Sequence, residues 1–577
     1  MAQTTATALA PDRPRTGGIL RLYGPGSMDH VDPSCSYYAL SGQIIRLFAR
    51  QLFTYPPERD LRSPRAITPT PDVAAAIPTR ANGGLSEDGA TYTIRLRAGV
   101  YWNTSPPRPV TAHDFVRGFK RMCCPVTRAG AIAYYTSTIR GMAEYCELYD
   151  AAVGADAPSA ELAAFQNAHE IAGLHAPDER TIVFDLVRPA NDFLNILAMH
   201  FASAAPVEYD AYVPDSPEFR RGTISAGPYQ LDHYVHGREL RMSRNPAWRK
   251  EGDPVRNQYL DGVEVVMEKA TPDQVRERVA AGEADLSWAS PVTEPYDVAP
   301  TDSGNDLGYA LNPYLVFNLR SPNAGGATGK LAVRRAIALA IDKMAMADIF
   351  HDLEAGTVMR PAQSAVPPGN DGYSGFNPYA TPGHRGDPER ARALLREAGY
   401  GDGLTLTALH RDVDANPKVA RSYAADLAKI GITCKLVAVG HAKYYEFLQD
   451  PANAIAGAWD ISAPSWTPDW FGNNGRAFLQ PMFQTNESRG TSNYGLYSNP
   501  AVDRLIEQAL ATPDRDDARE IWQQIDRQVM TDAAIVPLLV HAPTIPHLSG
   551  SRVRNAIAMP TVDRWFDLSN LWLELSG

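Results

Sequence analysis

Cysteine is scarce: five in 577 residues, Cys35, Cys123, Cys124, Cys146 and Cys434, too few and too scattered for a disulfide scaffold. The plainer expectation is five buried thiols, with one bridge among Cys123, Cys124 and Cys146 left open should the protein be exported. No Cys-x-x-Cys pair or Cys/His ladder occurs, which argues against structural zinc. Positive charge is not in excess either. Lys and Arg number 55 against 66 Asp and Glu, a net −11, the wrong sign for a nucleic-acid or anionic-membrane partner. No run of about 18 apolar residues is present, so no membrane span is expected. Residues 1–16 are polar and rich in Thr, Ala and Pro, without the apolar stretch of a signal peptide, and read as a flexible tail. The chain is therefore either cytoplasmic or a mature exported form whose leader is not in it.

Catalytic and cofactor signatures are missing too. His169-Glu170 would need a histidine at position 173 to make a metalloprotease helix, and Gly173 stands there. His233 and His236 are three apart on a hairpin strand and point to opposite faces, which suits turn-flanking polar residues better than ligands. Gly325–Lys330 has the look of a phosphate loop, but Ala324 occupies its first glycine position and Leu331 the Ser/Thr position. No nucleophile elbow or dinucleotide glycine fingerprint occurs.

Proline, by contrast, is abundant: 46 residues, about 8% against a usual ~5%. Proline does not sit inside helices or central strands, so a large, loop-rich fold is expected. The first part is strand-rich: Ala90–Arg97 and Thr181–Leu186 alternate, Gly227–Asn245 reads as a hairpin turning at His236-Gly237, and Gly262–Glu268 is an apolar run. After about residue 312 helices and strands alternate. Leu331–Phe350 carries one helical stripe, and Asp387-Pro388 and Asn499-Pro500 supply helix starts. Leu404–Leu409, Pro417–Ile430 and Ile432–Val439 read as a βαβ unit and hence a parallel sheet. A helix from about Asp514 to Met530 precedes a return to extended chain, punctuated by Pro537, Pro543 and Pro546.

One segment looks like a site. Trp459–Phe478 (WDISAPSWTPDWFGNNGRAF) sets three tryptophans and two aspartates among Pro, Gly and Asn. Its tryptophans either anchor the loop or stack on a ligand, and Asp469, between Trp466 and Trp470, is placed to favour a cationic partner.

Several motifs then fall in a familiar order. Thr16–Pro33, Leu85–Phe115 (with RAGVYW and VTAHDF), Ser225–Leu231 (SAGPYQL), Tyr314–Asp342, Asp387–Gly403 and Tyr497–Leu510 (YSNPAVDRLIEQAL) resemble the family 5 extracellular solute-binding proteins of ABC importers, from Gly17 to the C-terminus. The resemblance implies an α/β, two-lobed periplasmic-binding-protein-like fold, type II of the large cluster C kind, with an extra subdomain in the first lobe. Lobe I would span 17–312, with the subdomain at about 56–205, and lobe II 313–541, residues 542–577 returning to lobe I. It implies a monomeric, non-enzymatic, extracellular, cell-surface or periplasmic protein that needs no cofactor or metal. Such a protein captures oligopeptides or cationic amino-acid-like solutes between lobes and hands them to an ABC permease.

In peptide-binding members an aspartate after a Trp-x-x segment holds the ligand's α-ammonium, and that pattern falls on Trp466-Thr467-Pro468-Asp469. An arginine three residues before that Trp can hold the ligand carboxylate; here it is Ala463, so no fixed ligand length is implied. The expected ligand-binding set is Asp469, Trp466 and Ser465 from lobe II, Gly26, Ser27 and Met28 from lobe I, with Tyr134, Tyr135 and Tyr494. The alternatives are recruitment of this fold as an accessory protein or enzyme of a biosynthetic pathway, and metal-chelate binding, which 13 scattered histidines without ligand spacing do not favour.

Overall fold

Alternating burial organises the first sheet. In Ile19–Gly24, Leu20 and Leu22 face the helix Ala39–Phe48, whose Ile44, Ile45 and Phe48 complete an apolar core. The computed structural model describes residues 13–60, 63–127, 130–288, 310–353, 359–412, 415–488, 490–541, 550–559 and 566–575. Residues 1–12 of the expected tail, with Pro543 and Pro546, lie outside them. Ile19–Gly24 runs parallel to Gly262–Met267 and Leu286–Ser287, and the hairpin Tyr229–Val235/Glu239–Arg244 extends the sheet antiparallel. Gly237 turns that hairpin with φ 67°, a left-handed value that glycine adopts without steric cost.

A second, smaller sheet, Thr91–Arg95, Thr181–Asp185 and Leu174–Asp178, is antiparallel and lies against the helix Ala112–Met122. That helix begins in a capping box, with Asp114 Oδ2 accepting from the Thr111 N–H at 2.8 Å. Cys123 and Cys146 are joined by a disulfide, while Cys35, Cys124 and Cys434 are free. The expectation of five thiols is thus corrected in favour of the open alternative: the helices ending at Met122 and holding Cys146 bring the two sulfurs together, which spacing alone did not show.

The other lobe carries a mixed five-stranded sheet. Leu404–Arg411 pairs in parallel with Ile432–Val439 through the helix Asn416–Ala428, and on its other edge with Ile461–Ser462. Tyr314–Phe317 and Ile535–Pro537 complete it antiparallel. Asp387 and Asn499 cap their helices as the sequence predicts, accepting from Arg390 and Ala501 N–H at 3.0 Å each. The single helix expected over Leu331–Phe350 is two, Leu331–Ala340 and Lys343–Leu353. Ile341 turns extended, Asp342 donates its N–H to Asp426 Oδ2 at 2.9 Å, and its own carboxylate caps the second helix through Ala345 N–H. The periodic stripe survives the break because both halves face one core.

Between the lobes Ala310–Leu311 and Leu539–His541 run antiparallel, with Asn312 N–H donating to Leu539 O at 2.9 Å. The last described segments fold back onto the first lobe: Val553, Leu568 and Leu573 enter its core, and Arg46 forks onto Asp567 at 3.2 and 3.3 Å.

Candidate solute-binding cleft

The loop after Ile461–Ser462 is held on both sides. Trp466 forms an isolated antiparallel bridge with Leu311, N–H to O at 2.8 and 2.9 Å, and its indole N–H donates to Ala477 O at 2.9 Å. Ser465 Oγ donates to Asn312 Oδ1 at 2.6 Å, tying the loop to the crossing strand. Trp470 is wholly buried against the first lobe, its ring 5.1 Å from that of Tyr134. Beyond it, Arg476 is buried across the lobe boundary, donating to Thr138 Oγ1 at 2.7 Å, Tyr134 O at 3.1 Å and Asp192 Oδ1 at 3.3 Å. The tryptophans therefore serve chiefly as anchors, and what they anchor is Asp469.

Asp469 sits on the wall of a cavity of about 780 Å³ between the lobes. The first lobe contributes Asp29, His30, Tyr37, Tyr38, Tyr55 and Phe201; the second contributes Tyr445, Ser465, Trp466, Asp469 and Tyr494. Tyr134 donates its hydroxyl to Asp469 Oδ2 at 2.7 Å, and the Tyr37 hydroxyl lies beside the same carboxylate. Burial pushes the Asp469 pKa up to about 6, against the two tyrosine hydroxyls, which pull it down. No cation pairs with it among the described residues. The cavity's other carboxylate, Asp29, is already satisfied. It accepts from the N–H of Tyr37 at 2.6 Å and Tyr38 at 3.0 Å and from Ser41 Oγ at 2.6 Å.

Of the residues expected from the sequence, Asp469, Trp466, Ser465 and Tyr494 line this cavity, and Tyr134 stands directly behind Asp469. Tyr135 does not line it: its hydroxyl is turned into the subdomain, donating to Ile196 O at 3.0 Å. Gly26, Ser27 and Met28 are also not on its wall. Gly26 O accepts from the Trp288 indole at 2.9 Å, Ser27 Oγ bonds to Met28 O at 3.1 Å, and Met28 is buried in the core. The wall begins one residue later, at Asp29 and His30, because Met28 points inward under the sheet. Tyr37-Tyr38 and Tyr444-Tyr445 were the unread signals: paired tyrosines in polar surroundings, like the tryptophans of the loop. Arg411, at the end of its strand, is not on the wall but stands behind Tyr445. Its guanidinium lies over the rings of Tyr444 and Tyr445, 5.6 and 5.4 Å from their centroids, and its Nε is buried without a partner.

The profile of the bacterial extracellular solute-binding proteins, family 5, matches residues 68–490. The chain belongs to that family. Two relatives show how far the likeness runs. A dipeptide-binding protein of Escherichia coli is 28% identical over 479 residues, 79% of each chain. A periplasmic oligopeptide-binding protein of Salmonella typhimurium is 25% identical over 466 residues, 78% of this chain and 77% of that one. Among solved structures, a clavulanic acid biosynthesis oligopeptide binding protein superposes with a TM-score of 0.79 at 24% identity, covering 97% of this chain and 96% of that one, which shows the shared fold. Within this family 5 chain, no helix among the described residues is long and apolar enough to cross a membrane. No group of three or more potential metal ligands gathers there either.

Proposed function

We propose that this protein captures oligopeptides or cationic amino-acid-like solutes between its lobes and delivers them, unaltered, to an ABC permease from the periplasm or cell surface. One observation carries the reading: a desolvated carboxylate that no cation pairs among the described residues, Asp469, on the wall of a cavity of peptide-ligand size. Such a group is stabilised by a bound ammonium, which forms charge-assisted hydrogen bonds with it and drives it to the ionised form. The tyrosine-rich walls supply amphipathic contact that suits varied side chains. The names of the two relatives support peptides as the class.

In this reading the protein acts as a monomer, 17–312 and 542–577 form lobe I, 56–205 its subdomain, and 313–541 lobe II. Binding rather than turnover fits the chemistry on the wall. Cys35 lines the cavity, but its thiol bonds to Asp32 O at 3.7 Å and burial pushes its pKa well up, so it is held away from the reactive thiolate. Calorimetry of wild type and Asp469→Ala against a pool of di- to pentapeptides tests the proposal. Loss of binding in the variant is expected, and equal binding by both would overturn the role of Asp469. Mass spectrometry of the pool after long incubation should recover it unchanged; cleaved or modified peptides would overturn the non-enzymatic reading.

A further inference from the structure

His30 stands on the first-lobe wall of the same cavity, beside the loop that carries Tyr37 and Tyr38. Its Nδ1 lies 2.8 Å from Oδ2 of Asp215. Asp215 is firmly set: Arg220 donates to the same oxygen at 2.6 Å, and Val31 N–H to the other at 2.9 Å. Its backbone has φ 53°, in the left-handed region that Asp tolerates better than most residues. A fixed, almost wholly buried carboxylate makes Nδ1 the donor, and Nε2 is the ring nitrogen left over. Nε2 forms no hydrogen bond among the described residues, although the side chain keeps 34% of its surface open.

The surroundings favour an imidazolium. Burial works against the charge, but the hydrogen bond and charge of Asp215, helped by Asp29 and Asp32, hold the His30 pKa above its ordinary value. The cations of this cluster are Arg220, already bound to Asp215, and Arg121, already bound to Asp32 at 2.5 Å; His236, whose own pKa is lowered by burial and by Arg220, is held toward its neutral form. Asp29, the nearest carboxylate in sequence, is filled by backbone and serine donors and does not bond the His30 ring among the described residues.

We infer that His30, positioned by Asp215, is a ligand-binding residue that donates from Nε2 to a carboxylate of the captured solute and so selects ligands with an anionic group. This rests on the cavity being the solute site. Cavity chemistry then has two poles, the carboxylate of Asp469 and the imidazole of His30, which suits a zwitterionic ligand. The carboxylate has two sources, the C-terminus of a peptide or an acidic side chain.

Calorimetry at pH 6.5 with four probes separates them: tri-alanine, tri-alanine amide, Ala-Glu-Ala amide and Ala-Gln-Ala amide. Wild type should bind the acid of one pair about tenfold tighter than its neutral partner, the worth of one charge-assisted hydrogen bond. The tri-alanine pair reports the terminus, the Glu/Gln pair the side chain. His30→Ala should bring that ratio to about one, His30→Lys should keep it, and Asp215→Asn, which frees the ring, should shrink it. His30→Gln, matched for polarity, repeats the test should the alanine variant fail to fold. An acid-to-neutral ratio near one in wild type, or the same ratio in wild type and the neutral His30 variants, would overturn the inference. If instead no probe binds wild type, or Asp469→Ala binds every probe as wild type does, the solute-site reading itself has failed.

Discussion

Asp72 and Asp469 are both desolvated carboxylates, and their partners differ completely. Asp72 is fully buried in the first lobe and caged by arginines: Arg50 Nε at 2.7 Å, Arg256 at 3.0 and 2.9 Å. Burial alone would raise its pKa, but the Arg256 and Arg50 guanidiniums hold it below the ordinary carboxylate value. Asp469 has two tyrosine hydroxyls beside it and no cation among the described residues, and burial carries its pKa up to about 6. One charge pair is complete inside the fold; the other is half a pair with a cavity in front of it. A third aspartate keeps the comparison honest. Asp526 is also pushed up to about 6 by burial, yet it accepts from Val366 N–H at 2.9 Å and the Ser374 hydroxyl and does not line the cavity. Both raised carboxylates lack counter-charge, but only Asp469 has open space beside it, which the proposed ligand role requires.

The comparison breaks most visibly at the cage. Asp72→Asn leaves Arg50 and Arg256 buried with less counter-charge and should cost about 3–5 kcal/mol of folding stability, measured by denaturant unfolding. Asp469→Asn should behave in the opposite sense. Affinity for tri-alanine should fall by about 2–5 kcal/mol in calorimetry. The ligand-free protein should unfold at the same or a higher denaturant concentration at pH 7. The sign follows from the raised pKa: the stability Asp469 lends is present below its unfolded pKa and is lost as pH rises through about 6.

The same titration predicts a pH effect on binding. For tri-alanine amide, which carries an ammonium and no carboxylate, affinity should drop about tenfold between pH 7 and pH 5 as Asp469 takes up its proton. A flat profile would show that the ammonium is held elsewhere. The smallest effect expected is that of Tyr134→Phe. Losing one hydroxyl donor should weaken amide binding by about 0.5–1.5 kcal/mol and move the midpoint of the pH profile upward.

Local pattern determined a good deal on its own. The alternation in Thr91–Arg95 and Thr181–Asp185, the caps at Asp387 and Asn499, and the βαβ unit of Leu404–Val439 are written in neighbouring residues, because period, cap and turn chemistry act within a few positions. Asp469 stood out as one of two aspartates in a tryptophan-rich loop, and the family resemblance singled it out as the expected partner of a ligand ammonium. Other features needed the third dimension. Cys123 meets Cys146 because two helices converge. Leu331–Phe350 breaks at Ile341 because Asp342 bonds to Asp426, 84 positions away. His30 becomes a candidate only because Asp215, 185 positions away, fixes its ring. Gly26, Ser27 and Met28 looked like wall residues along the chain, yet Met28 is drawn under the sheet and the wall starts at Asp29. The sequence by itself determined most of the strand and helix segments and the tryptophan-rich loop that holds Asp469. Tertiary structure decided which charges are already paired and which still face open space, since counter-charge and desolvation depend on groups that are distant in the chain and adjacent only in the fold.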